Sequence, residues 1–152
     1  MKISSRWLAL GVPVALVCSA MAQSAKEKGE AFLKENAKKE GVKQLPSGLQ
    51  VKIINPGNET KPKSSDQVEV HYRGTTIDGK EFDSSYNRKE TITFGLNQVI
   101  RGWTEGMQLI GEGGKAELYI PANLAYGTRG APPVIGPDET LIFEVELIKV
   151  KK

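Results

Sequence analysis

Four segments of this chain alternate apolar and polar residues with a period of two, and no other feature limits its fold as strongly. The segments span residues 49–53, 68–72, 116–120 and 141–147. A strand of an antiparallel sheet with one buried face places every second side chain in the core, so each segment is predicted to be such a strand. Turns between the strands are predicted at Asn55-Pro56-Gly57-Asn58 and at Asp78-Gly79.

One short helix is predicted to interrupt the strands. Apolar side chains recur there at helical spacing, at Val99, Ile100, Trp103 and Met107. Gly102 and Gly106 are poor helix formers, so contacts with the sheet must stabilise this helix. The chain is therefore predicted to be an α+β protein, with a twisted antiparallel β-sheet wrapped around one short α-helix.

A second helix is predicted before the strands, over residues 24–40. Gly41 provides the residue that a left-handed C-terminal cap requires, and Val42 is placed to touch Ala37 across this cap. The apolar stripe of the helix is thin, and such a helix is marginal in water when isolated. It therefore either docks on the domain or meets a partner. Its weak periodicity favours a frayed or loosely docked helix over a dimer seam.

The first 22 residues have the pattern of a cleaved signal peptide. Lys2 and Arg6 precede an apolar run over residues 7–18, and Ala20-Met21-Ala22 supplies a cleavage site of small residues. The alternative is a membrane anchor, but a membrane-spanning helix needs about 20 apolar residues and this run is shorter. We therefore expect export of the protein, with cleavage after Ala22.

Composition after cleavage excludes several classes of function. Cys18 is the only cysteine and is lost with the signal peptide, which suits an oxidising compartment. Removing two of the 21 basic residues leaves a near balance with the 18 acidic ones, which is not the charge pattern of a nucleic-acid-binding protein. His71 is the only histidine, and we expect it to face solvent or to be hydrogen-bonded. One histidine without cysteine makes no metal site, so neither a metal nor a cofactor is predicted.

Four short motifs follow one another along the second half of the chain. They are Phe82-Asp83-Ser84-Ser85, Val99-Ile100-Arg101-Gly102-Trp103, Leu124-Ala125-Tyr126-Gly127 and Ile135-Gly136-Pro137. Together they resemble the pocket of the FKBP-type peptidyl-prolyl cis-trans isomerases, which accelerate rotation about X–Pro peptide bonds. Residues 28–33 and 45–50 narrow the resemblance to the bacterial branch similar to the macrophage infectivity potentiator.

The resemblance runs from about residue 28 to residue 150. With the signal peptide at residues 1–22, it implies an N-terminal helix and linker over residues 23–44. An isomerase domain is then expected over residues 45–152.

The resemblance also implies which residues form the site. Catalytic roles fall on Asp83, Tyr126, Ile100 and Trp103. The Trp103 indole would form the floor under the proline ring, and the Ile100 amide and the Tyr126 phenol would donate hydrogen bonds. The implied substrate-binding residues are Tyr72, Phe82, Arg88, Phe94, Val99, Ala125, Ile135 and Phe143. The segment 128–137 is rich in Pro and Gly, and we expect it to overhang the pocket.

Each of these residues also has a purely structural interpretation. Trp103 fits ordinary core packing, and Tyr126 fits a loop side chain that covers the core. Asp83 fits a cap for the turn at Ser84. The family instead places Asp83 at the pocket edge, paired with Arg88, where it orients the site and polarises the substrate without acting as a base.

An isomerase that assists the folding of exported proteins is the function that the resemblance predicts. Its partners would be proline-containing polypeptides, and macrolides such as rapamycin or tacrolimus would inhibit it. One alternative is a chaperone that holds unfolded chains and has an incidental pocket. Another, which rests on family association alone, is a dimeric adhesin or virulence factor. The expected location is the periplasm of a Gram-negative-type bacterium, with the outer membrane or secretion as alternatives. A monomer is expected in preference to a dimer, because nearly all of the long dimerisation helix of related long members is missing.

Overall fold

The computed structural model describes residues 24–151, and the predicted signal peptide with its cleavage site lies outside them. Within residues 24–151, no helix is long and apolar enough to cross a membrane. The helices of this part are α1 (Ala25–Asn36), α2 (Ser85–Arg88) and α3 (Arg101–Gly106). The strands are β1 (Val42–Gln44), β2 (Gln50–Asn55), β3 (Gln67–Thr76), β4 (Glu81–Ser84), β5 (Ile92–Gly95), β6 (Lys115–Ile120) and β7 (Leu141–Lys151). Short 3-10 turns lie at Leu96–Gln98, Met107–Leu109 and Ala122–Leu124.

These seven strands form one antiparallel sheet, whose order is β1-β2-β6-β7-β3-β4. β5 pairs with residues 67–70 of β3, and β4 pairs with residues 73–75 of the same strand. The four strands predicted from alternation correspond to β2, β3, β6 and β7, so the strands are confirmed, but Ile53 on β2 is 41% exposed where the alternation predicted burial. β1 lies in the stretch expected to be a linker, where it pairs with β2.

α3 is the predicted short helix, and it packs closely against β6. A Cβ atom at Gly102 would lie 2.5 Å from Cγ2 of Ile120, and one at Gly106 would lie 2.7 Å from Cδ2 of Leu118. The two residues that weaken α3 by propensity are therefore the ones that let its backbone approach the sheet. This approach buries Trp103 in the core with only 4% of its surface exposed.

α1 begins where the sequence predicts but ends earlier. Ser24 and Glu27 form a capping box, in which each side chain bonds the other residue's backbone N–H. The α-helix ends at Asn36, four residues before the predicted end. Gly41 has the expected left-handed backbone, with φ of +85°, but it lies in the turn that leads into β1.

α1 docks on the sheet through a few polar contacts. The buried Asn36 amide donates a 2.8 Å hydrogen bond to Oε1 of Gln50 on β2. The Gln50 amide in turn donates to the backbone oxygen of Leu33 at 2.7 Å. At the other end of α1, the buried Gly29 lies so close to Thr140 that no Cβ atom fits between them. A search for apolar periodicity misses this interface because its closest contacts involve amides and a glycine.

Candidate functional site

A cavity with a volume of about 460 Å³ opens among α3, the strands beside it and the turn after β6. Pockets that bind small ligands fall in the same size range, about 300–1,000 Å³. The residues that line the cavity are Tyr72, Phe82, Asp83, Phe94, Gln98, Val99, Ile100, Trp103, Tyr126 and Phe143. Six of these ten side chains are aromatic, so the walls are mainly apolar.

Trp103 is surrounded by aromatic rings that stand nearly upright on its indole plane. The ring centroids of Tyr72, Phe94 and Phe143 lie 5.3, 5.6 and 5.4 Å from that of Trp103, with interplanar angles of 80°, 86° and 89°. Phe82 extends the wall by packing edge-on against Phe143 at 5.4 Å. Such edge-to-face pairs stabilise aromatic clusters beyond their buried area. The Trp103 indole therefore lies among aromatic rings that are nearly perpendicular to it.

Asp83 lies at the edge of this cavity in a network of four hydrogen bonds. One carboxylate oxygen accepts the phenol of Tyr72, and the other accepts Nη1 of Arg88 at 2.8 Å and the backbone N–H of Ser84 at 2.9 Å. Nη2 of Arg88 also donates to the Tyr72 oxygen, at 3.2 Å. The two interpretations of Asp83 from the sequence therefore coexist, because one side chain both caps the turn and pairs with Arg88.

This network fixes the protonation states at the cavity edge. Burial acts to raise the pKa of Asp83, but the hydrogen bonds from Tyr72 and Arg88 and the charge of Arg88 outweigh it and hold that pKa below its usual value. Burial and the hydrogen bond to Asp83 raise the pKa of Tyr72. Asp83 is thus a charged acceptor and a weak base at neutral pH.

Ser85 fixes the strand that carries Tyr72. Its fully buried hydroxyl oxygen accepts the backbone N–H of Tyr72 at 2.7 Å and lies 2.8 Å from Nδ1 of His71. The His71 ring also stacks on Tyr86, with 4.7 Å between the centroids. His71 is therefore hydrogen-bonded, which is one of the two expectations for it.

The backbone N–H of Ile100 and the Tyr126 phenol are hydrogen-bond donors on the cavity wall that are free within residues 24–151, and the buried Nε1 of Trp103 also has no partner there. No described residue accepts a hydrogen bond from the backbone N–H of Ile100, which directly precedes α3. The Tyr126 phenol likewise has no partner among the described residues, and 40% of the side chain is exposed. Burial, followed by the charge of Asp83, raises the pKa of Tyr126, so this phenol keeps its proton at neutral pH. The cavity can therefore hold a compact apolar group. The Ile100 N–H and the Tyr126 phenol can donate hydrogen bonds to carbonyl oxygens next to that group.

Nine of the twelve site residues implied by the sequence line the cavity, and three do not. Arg88 lies behind the wall and acts on it through Asp83 and Tyr72. Ala125 packs against the core beside Tyr126. Ile135 is only 5% exposed and belongs to the core. Its partner Ala131 closes a tight loop with it through backbone hydrogen bonds of 2.8 and 3.1 Å.

Two further expectations differ from the structure. None of the lining residues comes from segment 128–137, which was expected to overhang the pocket. Gln98 lines the cavity although the sequence did not mark it as a site residue. Its position immediately before Val99, a predicted site residue, is the sequence signal that could have identified it.

Comparisons with known proteins give the class to which this fold and cavity belong. Residues 58–148 match the family model of the FKBP-type peptidyl-prolyl cis-trans isomerases, and residues 16–53 match the model of the domain amino-terminal to these isomerases. The first match covers more than half of the chain. The chain belongs to the FKBP-type peptidyl-prolyl cis-trans isomerase family.

Similar proteins come from several bacteria. A probable FKBP-type peptidyl-prolyl cis-trans isomerase FkpA of Neisseria meningitidis is 56% identical over 129 residues, which are 85% of this chain and 47% of that protein. The outer membrane protein MIP of Legionella longbeachae is 52% identical over 131 residues, which are 86% of this chain and 56% of that protein. The chain thus spans about half the length of these relatives. The crystal structure of FkpA from Escherichia coli superposes with a TM-score of 0.82 at 44% identity, covering 98% of this chain and 71% of that one.

Proposed function

We propose that this chain catalyses the cis–trans isomerisation of X–Pro peptide bonds in polypeptides. The observation that carries the proposal is the cavity itself, in which aromatic rings nearly perpendicular to the Trp103 indole surround it, and in which the Ile100 N–H and the Tyr126 phenol are free to donate hydrogen bonds. A pyrrolidine ring is flat, compact and apolar enough to lie on the indole. The flanking peptide carbonyls can then accept hydrogen bonds from Ile100 and Tyr126.

The chemistry needs no bond to break and no proton to move. Rotation about a peptide bond costs about 18–20 kcal/mol because resonance gives the C–N bond double-bond character. Uncatalysed exchange of an X–Pro bond takes tens to hundreds of seconds. A twisted imide has lost its resonance, and its carbonyl is less polar than that of the planar form. An apolar cavity therefore disfavours the planar ground state more than the twisted transition state.

Donors at fixed positions add to this effect. Only an interaction that is stronger in the transition state than in the ground state raises the rate. The Ile100 amide and the Tyr126 phenol are held on the protein frame before the substrate arrives, so they stabilise one carbonyl geometry without reorganising. Asp83 keeps Tyr72 and Arg88 in place and polarises the substrate at the cavity edge. Its lowered pKa makes it unsuited to act as a general base.

A peptide exchange assay tests this function. Purified protein should accelerate cis–trans exchange in a peptide with leucine before proline, measured by NMR exchange spectroscopy. Tyr126→Phe should lower kcat/KM by about threefold to tenfold, the loss expected for one neutral hydrogen bond. Asp83→Ala should also lower it while the fold is retained.

Tyr119→Phe is the matched control for the tyrosine variant. Tyr119 lies on β6, donates its phenol to Glu117 at 3.0 Å, and does not line the cavity. It should leave kcat/KM unchanged. Absence of any acceleration by the wild-type protein rejects the function. Full activity in both Tyr126→Phe and Asp83→Ala rejects the roles assigned to these residues.

The finer features of the function belong to the same proposal. Proline-containing segments of exported proteins are the expected substrates, and rapamycin or tacrolimus should compete with them for the cavity. The predicted signal peptide supports export to the periplasm, and one relative is named an outer membrane protein. The docking of α1 on its own sheet supports a monomer, which light scattering of the purified protein would test. The end of the signal peptide at residue 22 and the start of the isomerase domain after residue 44 are part of the same proposal.

A further inference from the structure

We propose that Arg101 is a positioning residue that fixes the distance between the Ile100 N–H and the Tyr126 phenol, both free donors of the cavity. The inference rests on the proposed function, because it assigns Arg101 a role in presenting Tyr126 to the substrate. Arg101 does not line the cavity. It joins the segment that carries one donor to the segment that carries the other.

The link is a single hydrogen bond between two elements. Arg101 is the first residue of α3 and directly follows Ile100, whose N–H is one donor. Nη2 of Arg101 donates to the backbone oxygen of Asn123 at 2.5 Å. Asn123 lies in the 3-10 turn Ala122–Leu124, three residues before Tyr126, which carries the other donor.

The turn transmits this link to Tyr126 because its own backbone is closed by hydrogen bonds. The oxygen of Ala122 accepts the N–H of Ala125 at 2.9 Å and the N–H of Gly127 at 2.8 Å. These two amides flank Tyr126. Leu124 anchors the turn in the core, with 7% of its surface exposed. A turn that is closed in this way moves as one body, so a hold on Asn123 limits the motion of Tyr126.

The position of Arg101 in α3 argues against a role in stabilising that helix. A positive charge in the first turn opposes the helix dipole, and α3 has no acidic residue there to offset it. Among the described residues, no carboxylate forms an ion pair with Arg101. The contact with Asn123 is the one polar interaction of this side chain in the described part of the chain, and it crosses from one donor segment to the other.

The test compares Arg101→Met and Arg101→Lys in the peptide exchange assay. Arg101→Met should lower kcat/KM by about threefold to tenfold, and Arg101→Lys should recover part of the loss because lysine keeps a charged donor. In the Tyr126→Phe background, Arg101→Met should lower kcat/KM by less than about a further twofold, because the donor that Arg101 positions is already gone. Equal losses in both backgrounds, or no loss in either, would overturn the proposal.

Lys115→Met is the control for loss of a surface cation. Lys115 pairs with Glu144 at 3.1 Å and starts β6 at the end of the strand opposite to the turn, so its removal should leave kcat/KM unchanged. A merely structural role of Arg101 would lower the unfolding midpoint without the dependence on Tyr126. The double-variant comparison therefore separates positioning from stability.

A readout without substrate separates this proposal from the proposed function. Hydrogen exchange of the Ala125 and Gly127 amides should quicken in Arg101→Met and not in Lys115→Met, and the NMR signal of the Tyr126 phenol carbon should shift. If the wild-type protein shows no isomerase activity, the function fails while these signals still test the link. Unchanged amide exchange together with an unchanged phenol signal would overturn the link itself.

Discussion

Replacing Gly29 by alanine tests how tightly α1 is docked. A loosely docked helix and a tightly docked helix predict changes of opposite sign in the free energy of unfolding. Alanine is a better helix former than glycine by about 0.8–1.0 kcal/mol, so a frayed or loosely docked α1 would be stabilised. In the structure the new Cβ atom would overlap Oγ1 of Thr140 and lie 3.1 Å from its Cβ atom. A docked α1 should therefore be destabilised.

The magnitude follows from how little Thr140 can move. It is only 5% exposed and directly precedes β7, so it cannot turn away into solvent. Forcing extra volume into a packed contact costs about 1–3 kcal/mol. After the gain in helix propensity is subtracted, Gly29→Ala should lower the free energy of unfolding by about 1 kcal/mol. For a domain of this size, the unfolding midpoint should fall by about 3 °C.

Urea unfolding followed by circular dichroism measures this change. Ala31→Gly is the control, because Ala31 is exposed on the same helix and reports the propensity difference alone. The double variant Gly29→Ala, Thr140→Ala should be about 1 kcal/mol more stable than the two single-variant losses predict when they are added, because the overlapping oxygen is gone. A Gly29→Ala protein that is more stable than wild type would refute the docking.

Three further predictions follow from named contacts. Asn36→Ala leaves the buried Oε1 of Gln50 without its donor, so the free energy of unfolding in urea should fall by about 1–3 kcal/mol. Lys38→Ala, at an exposed position of an ion pair, is the control and should change this free energy by less than about 0.5 kcal/mol. Because the folded-state pKa of Asp83 is lowered, its contribution is present above the ordinary value of 3.8 and is lost as the pH falls through the lowered value. Asp83→Asn should therefore lose less stability than wild type between pH 7 and pH 3. The difference should be under about 1 kcal/mol, because the ion pair of Asp83 with Arg88 is partly exposed. An equal loss in both proteins would contradict the contribution of this ion pair. Because the pKa of Tyr126 is raised, kcat/KM should decline only above about pH 10, and this alkaline decline should be smaller in Tyr126→Phe.

The sheet and the central helix could be predicted because they follow simple rules of burial. In β3 and β7 the alternation matches burial, as Val70 and Leu147 show by facing each other while fully buried. α3 was predicted from its apolar spacing. Gly102 and Gly106 looked unfavourable until their contacts with β6 were known, because helix propensity does not report close packing.

The extent and docking of α1 could not be predicted for a related reason. Residues after Asn36 have no strong helix breaker before Gly41, so local propensity extends the helix to residue 40. The contact of Asn36 with Gln50 joins residues that are 14 positions apart, and a pattern of apolar residues does not mark it. Polar pairs of this kind become visible only when the partner strand is in place.

The residues of the cavity were predicted from motifs, and the lining of the cavity departs from those motifs in the loops. Phe82, Trp103 and Tyr126 lie together as the motifs imply. Ile135 belongs to one of the same motifs but turns into the core, because the tight loop that it closes with Ala131 fixes its direction. Gln98 faces the cavity because a 3-10 turn places it there. Loop geometry of this kind depends on tertiary contacts that sequence spacing does not encode.

The proposed function requires a proline ring to lie on the Trp103 indole while its X–Pro bond rotates. One NMR sample tests it directly, containing a peptide with leucine before proline and a small amount of the protein. We predict exchange cross-peaks between the cis and trans forms together with nuclear Overhauser contacts from the proline ring to the Trp103 indole. Exchange without these contacts would place the reaction elsewhere on the molecule, and contacts without exchange would make the cavity a binding site only.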